Sequence, residues 1–349
     1  MGAGAALGGV ELIFPRYELE RVAAEFGFHT AQVEQAVRLL DLLNAVGAHP
    51  ELGDKLVLKG GTALNLFLFA APRLSVDLDF NYIGAADPDI MRADRGPLEE
   101  ALGDVCRSAG YEVTQLKPGE HAGDKWELRY QNTLGSDDKI EIDLNYMHRV
   151  PLWPPRRRDS YPLGRWRATD VQVVDDHELA AGKLHALGER AKARDLFDAA
   201  LIPSIHGLDE AKVRTAFVVH GAVSNKDWRK ATAIVRNPPP GDLQANLWPM
   251  LPADSSLHQL SPGHCLELLK AGAAPTLSAV LPLTELERRF QDGVKGHGLI
   301  DATLLTSDQA LQARIAAQPG LAWQVFKVQQ RRKSIERRRR PSSGLGLDL

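Results

Sequence analysis

The sequence predicts an α+β protein, with a mixed β-sheet core and helices in the first half and a mostly helical C-terminal half. Three observations predict it. Residues 76–82 and 139–146 alternate acidic or polar side chains with apolar ones, the period-two mark of a strand with one buried face. Residues 30–48 place Val33, Val37, Leu40, Leu43 and Val46 three or four apart, as an amphipathic helix does, with Thr30 as its N-cap. Beyond about residue 175 strand signals fade, and helical patterns continue through 177–200, 281–293, 307–316 and onward from Leu321.

The other elements follow in order. Residues 1–15 read as a flexible start. Leu56-Val57-Leu58 is a short buried strand stopped by Gly60-Gly61, and residues 62–69 read as a helix. Residues 111–116 and 125–130 are further strands. A Pro/Arg-rich connection at 151–158 marks a domain boundary, and Pro238-Pro239-Pro240-Gly241 marks a loop. The expected organisation is an N-terminal extension (1–29), a core (30–150), a mostly helical domain (151–330) and a basic, flexible tail (331–349).

The 349 residues accommodate two domains, and 44% hydrophobic with 25% charged residues exclude a disordered or collagen-like chain. Cys106 and Cys265 stand far apart, which excludes a disulfide framework and fits a reducing cytoplasm. No run of about 18 apolar residues predicts a membrane span, and residues 1–10 lack the pattern of a signal peptide. A net charge of −3 argues against a nucleic-acid partner until its distribution is read. Arg156, Arg157, Arg158, Arg165 and Arg167 cluster with Trp153 and Trp166 between them. Arg331, Arg332 and Lys333, with arginines 337–340, form a second cluster. Such clusters neutralise phosphates, and tryptophan stacks on bases.

The most informative stretch is Lys59-Gly60-Gly61-Thr62 followed by Arg73-Leu74-Ser75-Val76-Asp77-Leu78-Asp79. Asp77 and Asp79, at i and i+2 on a strand, leave the same face. Two carboxylates that close repel unless a cation lies between them, and a hard divalent ion suits their oxygens. A strand ending in Gly-Gly before a helix exposes backbone N–H groups suited to phosphate. A two-metal phosphoryl-transfer site needs a third carboxylate on a neighbouring strand. Asp143 is the candidate and Glu141, on the same face, the competitor. Asp143 is preferred because it lies deeper in the apolar alternation.

Gly60-Gly61-Thr62, Arg73, Ser75 and Asp77-x-Asp79 resemble the first motif of the DNA polymerase β-like nucleotidyltransferases, and more narrowly the AbiEii/AbiGii toxin family with its MenT members. Lys183, Arg190, Lys192 and Arg194-Asp195-Leu196-Phe197-Asp198 resemble that family's K…R…RDxxD segment. On one straight helix, Lys183, Arg190 and Arg194 share a narrow arc with Asp198 at its edge. Fourteen residues separate Thr62 from Asp77, long for the wider superfamily and ordinary for the narrower family.

The resemblance implies a nucleotidyltransferase fold and a toxin that transfers NMP from an NTP to the 3′ end of tRNA, releasing pyrophosphate and blocking translation. It implies Mg²⁺ or Mn²⁺ on Asp77, Asp79 and Asp143, and triphosphate contacts from Gly60, Gly61 and Thr62. It gives Lys183 the leaving pyrophosphate, and places Ser75, Arg194, Asp195 and Asp198 around the nucleotide. A phosphate on Ser75 would add negative charge beside the metal carboxylates and block NTP binding. The implied partners are NTP, the tRNA acceptor end and a cognate antitoxin encoded next to the toxin; no membrane is involved. The alternatives are transfer to a protein or small-molecule hydroxyl, and a catalytically inactive nucleic-acid-binding module.

Overall fold

The computed structural model describes residues 14–116 and 123–339. Two helices open the described chain, α1 (Arg16–Phe26) and α2 (Thr30–Ala48). Helix α1 lies within the expected N-terminal extension, yet it buries Leu19, Val22 and Ala23 against the core. The N-cap of α2 is His29, not Thr30, which is already the first helical residue.

Next come β1 (Leu56–Lys59), the short helix α3 (Gly60–Ala63) widening into an i→i+5 turn over Leu64–Leu68, and β2 (Asp77–Tyr82). Helix α4 (Pro88–Ser108) starts at a proline under the Asp87 cap. It is followed by β3 (Glu112–Gln115), β4 (Gly123–Gln131), β5 (Asp137–Asn145), β6 (Arg156–Arg158) and β7 (Val171–Val173). The seven strands form one mixed sheet in the order β3-β4-β5-β2-β1-β7-β6. Strand β7 pairs parallel with β1, and β6 pairs with β7, so the sheet continues past the boundary expected near residue 151. Three-residue strands in a Pro/Arg-rich segment carry too little alternation to be read from sequence.

One face of the sheet is apolar. Leu58, Leu78, Phe80, Trp126, Leu128, Ile140, Ile142 and Leu144 are buried there. The register stacks Leu58 against Phe80, Leu78 against Ile142 and Phe80 against Leu144. Because successive side chains point to opposite faces, the same register gathers Lys59, Asp77, Asp79, Asn81, Lys125, Glu127, Glu141, Asp143 and Asn145 on the other.

The rest is helical: α5 (Asp176–Arg190), α6 (Ala193–Leu201), α7 (Glu210–Val223), α8 (Pro262–Val280), α9 (Glu285–Asp292), α10 (Gln309–Ala316) and α11 (Pro319–Arg339). The helical stretch expected from 177 to 200, with a turn near Gly188, is two helices. Ala191 takes the left-handed conformation, φ 49°, and turns the chain between α5 and α6. The expected flexible tail is helical as far as Arg339, and residues 340–349 lie outside the described residues, as do 1–13. Among the described residues no single helix is long and apolar enough to cross a membrane.

Candidate active site

The end of β1 runs directly into the glycine turn. Gly60 has φ +75°, and a Cβ there would stand 2.1 Å from Asp79 Oδ2. Glycine is therefore required twice, by backbone conformation and by the carboxylate lying against it. A Cβ on Gly61 would stand 3.1 Å from Arg73 Nη2 and 3.3 Å from Ser75 Oγ. Gly60, Gly61 and Thr62 open α3, so their N–H groups have no partner within the helix. The Thr62 side chain is buried, and its hydroxyl donates to the Asp77 carbonyl, tying the turn to β2. Ser75 is buried.

Asp79 pairs in register with Asp143 of the parallel strand β5, and Asp77 with Glu141. All four carboxylates share the polar face. Burial raises the pKa of Asp77 above the ordinary aspartate value; the Arg194 charge opposes this, and Asp79 and Glu141 reinforce it. Burial likewise raises Asp143, with Lys125 opposing and Asp79 reinforcing. The two candidates for the third carboxylate differ sharply. Glu141 takes Lys125 at 2.6 Å and Lys139 at 3.2 Å, and the hydrogen bond from Lys125 lowers its pKa. Asp143 is about half exposed and meets Lys125 only at 3.9 Å. Lys59 stands 3.7 Å from Asp79.

Among the described residues no three Asp, Glu, His or Cys groups form a ready-made metal cluster. The donor set nevertheless fits a hard divalent cation. Asp77, Asp79 and Asp143 offer only oxygens, and the like charges that raise Asp77 and Asp143 are those a cation would relieve.

Across from this face, α5 and α6 carry the second motif. Lys183 is 7% exposed and bridges two aspartates, Asp195 at 3.1 Å and Asp198 at 2.8 Å. Asp198 is fully buried and also takes both arms of Arg73, each at 2.7 Å, with Asn65 at 3.1 Å. Against its burial, Arg73 and Lys183 hold its carboxyl far below the usual range. Asp195 accepts from Arg190 at 2.6 and 2.9 Å, and its pKa is lowered too, Arg190 and Lys183 outweighing burial. The turn at Ala191 makes this convergence possible. Arg194 is half-buried on α6, close enough to Asp77 to act on its charge. Three cations against two carboxylates leave the network net positive beside the acidic face.

A cavity of about 450 Å³ lies between β1, β2 and α5, lined by Lys59, Gly60, Asp79, Lys183 and Arg190 among others. It continues to Asn81, His148, Glu178 and His220, none of which the sequence reading marked. Glu178 stands five residues before Lys183 on α5, about 140° round the helix, so no same-face spacing links them, and His148 follows β5 with nothing local to signal it.

The first basic cluster is neutralised. Arg156 stands 3.5 Å from Asp175, Arg157 pairs with Asp54 and Asp170, Arg158 with Asp176, Arg165 with Glu18 and Arg167 with Asp159. Trp166 is buried and Trp153 packs partly buried beside His177. Each arginine has an acidic partner, and neither ring is fully exposed. Arg331, Arg332 and Lys333 are exposed on α11, one to three turns beyond the exposed, stacked pair Trp323 and Phe326, whose centroids are 5.4 Å apart.

A glycine turn opposed to an acidic strand within this mixed sheet, closed by a helical half, defines the nucleotidyltransferase class. The family model described as the nucleotidyl transferase AbiEii toxin of type IV toxin–antitoxin systems matches residues 41–294, and the chain belongs to that family. In fold it is similar to MenT4, a nucleotidyltransferase toxin from Mycobacterium tuberculosis H37Rv. That match has 20% identity and a TM-score of 0.55, covering 89% of this chain and 99% of the other. No curated protein sequence matches. The chain is thus a nucleotidyltransferase toxin of a type IV toxin–antitoxin system.

Proposed function

We propose that the chain transfers a nucleoside monophosphate from an NTP to the 3′ end of tRNA and so blocks translation in the cytoplasm, with a cognate antitoxin encoded beside it. The observation that carries the catalytic part is the register of Asp79 with Asp143, next to the glycine turn and opposite the buried Lys183. Asp77, Asp79 and Asp143 would hold divalent metal, Mg²⁺ or Mn²⁺, which supplies charge neutralisation on the triphosphate and a lower pKa for the acceptor hydroxyl.

The chain's own groups do the rest. The N–H groups of Gly60, Gly61 and Thr62 bind the outer phosphates. Asp143 Oδ accepts the acceptor hydroxyl's proton. The Lys183 ammonium, fixed by Asp195 and Asp198, stabilises charge on the departing pyrophosphate, and Arg190 and Arg194 extend that positive field. Arg73 and Asn65 fix Asp198 in turn. Residues 151–330 thereby complete the site begun by residues 30–150. The exposed Arg331, Arg332 and Lys333 with Trp323 and Phe326 support an RNA path along α11.

Incubation with each labelled NTP, Mg²⁺ and total tRNA tests the reading. Label at the tRNA 3′ end is expected, and Asp77→Ala should abolish it. Label in protein, or none in any acceptor, would overturn the tRNA assignment. Activity that survives Asp77→Ala would overturn the metal assignment.

A further inference from the structure

The cavity has two unlike ends. At one, Asp79 and Gly60 give onto the open sheet face, where Asp143 is about half exposed and a bulky acceptor can approach. At the other, it is lined by His148, Glu178, His220 and Asn81 with the apolar Val174 and Leu179. Nothing in the phosphoryl-transfer scheme uses this end.

Its polar groups are left incomplete. Glu178 is 7% exposed. One of its oxygens, Oε1, accepts from the backbone N–H groups of Leu152 at 2.9 Å and Trp153 at 3.2 Å. Among the described residues the other, Oε2, meets only His220 Nε2 at 3.7 Å, beyond hydrogen-bond reach. Asn81 is 8% exposed, and its Oδ1 has no hydrogen-bond partner among the described residues. A buried acceptor without a donor is costly and calls for one from a ligand. The rings of His148 and His220 stand edge to face at 5.3 Å and flank the space. Burial, aided by the charges of His220 and Lys59, lowers the pKa of His148 to about 3, so it offers a neutral face rather than a cation.

We propose that this histidine-lined end is the nucleobase subsite, and that Glu178 Oε2 accepts an N–H from the exocyclic amino group of cytosine or adenine, selecting their nucleotides over those of uracil and guanine. This rests on the NTP reading above and extends it to base choice. At that edge uracil and guanine present a carbonyl oxygen where cytosine and adenine carry an amino donor, and a carbonyl facing the Glu178 carboxylate is repelled. The backbone donors of Leu152 and Trp153 hold the carboxylate in place, so the acceptor is set before the base arrives. Glu178→Gln keeps the size and leaves Oε1 for the two backbone donors, while turning Oε2 into an amide donor. It should swap the preference.

The experiment is a comparison of kcat/KM for ATP, CTP, GTP and UTP with the full chain, its Glu178→Gln variant and its Asn81→Ser variant. The wild type should use UTP and GTP at least about tenfold less well than the better of ATP and CTP, the discrimination expected of one buried charge-assisted hydrogen bond. Glu178→Gln should narrow or reverse that ratio, mainly through KM, and Asn81→Ser should weaken all four nucleotides. Equal use of all four by the wild type would overturn the subsite even if Glu178→Gln failed to fold, while transfer itself stood. An unchanged ratio in a folded Glu178→Gln protein would also overturn it. Lost discrimination between ATP and dATP, with base preference intact, would move Glu178 to the ribose and overturn the base assignment. Failure to transfer or bind any NTP would instead overturn the function on which the subsite rests.

Discussion

Two groups of charges face each other in this molecule and are built on opposite principles. On the sheet, Asp77, Asp79 and Asp143 lie side by side, partly open, and burial with mutual repulsion raises Asp77 and Asp143. On α5 and α6, Asp195 and Asp198 are buried, each held by two cations, and both are lowered. The first arrangement is kept in tension and gains from an arriving cation. The second is complete and serves as scaffold. Two sets of aspartates with the same formal charge thus work oppositely, one on the ligand and one on the fold.

The strongest way to break the comparison is Asp198→Ala. It leaves Arg73 and Lys183 buried without their shared partner and should cost about 3–5 kcal/mol of stability, measured by urea unfolding. Asp77→Asn should do the reverse, abolishing transfer while raising stability by about 1 kcal/mol. A stable Asp198→Ala or an unstable Asp77→Asn would erase the distinction. The pH dependence carries the same signs. The lowered Asp195 and Asp198 contribute stability that is present above the ordinary aspartate pKa and lost as pH falls below it. The raised Asp77 and Asp143 bind more protons folded than unfolded, so they weaken the fold as pH rises through their range. The acid limb of the stability curve should therefore flatten in Asp198→Asn and steepen in Asp77→Asn.

Gly60→Ala sharpens the boundary between site and scaffold. The new Cβ would collide with the Asp79 carboxylate at a φ that alanine disfavours. Activity should fall by about 10² or more, with a stability loss of about 1–2 kcal/mol. Wild-type activity would show that the carboxylate need not lie against the turn. The smallest effect is expected at the first basic cluster. Arg157→Ala removes exposed ion pairs with Asp54 and Asp170. It should change stability by less than about 1 kcal/mol and leave the salt dependence of tRNA binding unchanged, whereas Arg331→Ala with Arg332→Ala should flatten it.

The acidic strand was legible because the i, i+2 spacing fixes a shared face once the strand is recognised, and β2 and β5 announce themselves by alternation. The two-metal argument asked for a carboxylate on a neighbouring strand, but the parallel register that puts Asp143 beside Asp79 is a tertiary fact no local pattern shows. The arc assigned to Lys183, Arg190 and Arg194 assumed an unbroken helix. Gly188 signals a turn, but the turn falls three residues on, at Ala191, and brings Asp195 and Asp198 back to Lys183. The arginines of 156–167 looked like a phosphate surface because sequence counts charges and does not show partners distant in the chain, such as Asp54 and Glu18. His148, Glu178 and His220 come from three separate segments, and no local pattern joins them.

Strand β6 is the outermost of the sheet, and all three of its residues are arginines. An outer strand offers unpaired amide and carbonyl groups to any extended chain that passes, and brevity with dense charge are two ways of discouraging the approach. The cluster that first suggested contact with nucleic acid thus acts as a guard rail along one margin of the sheet.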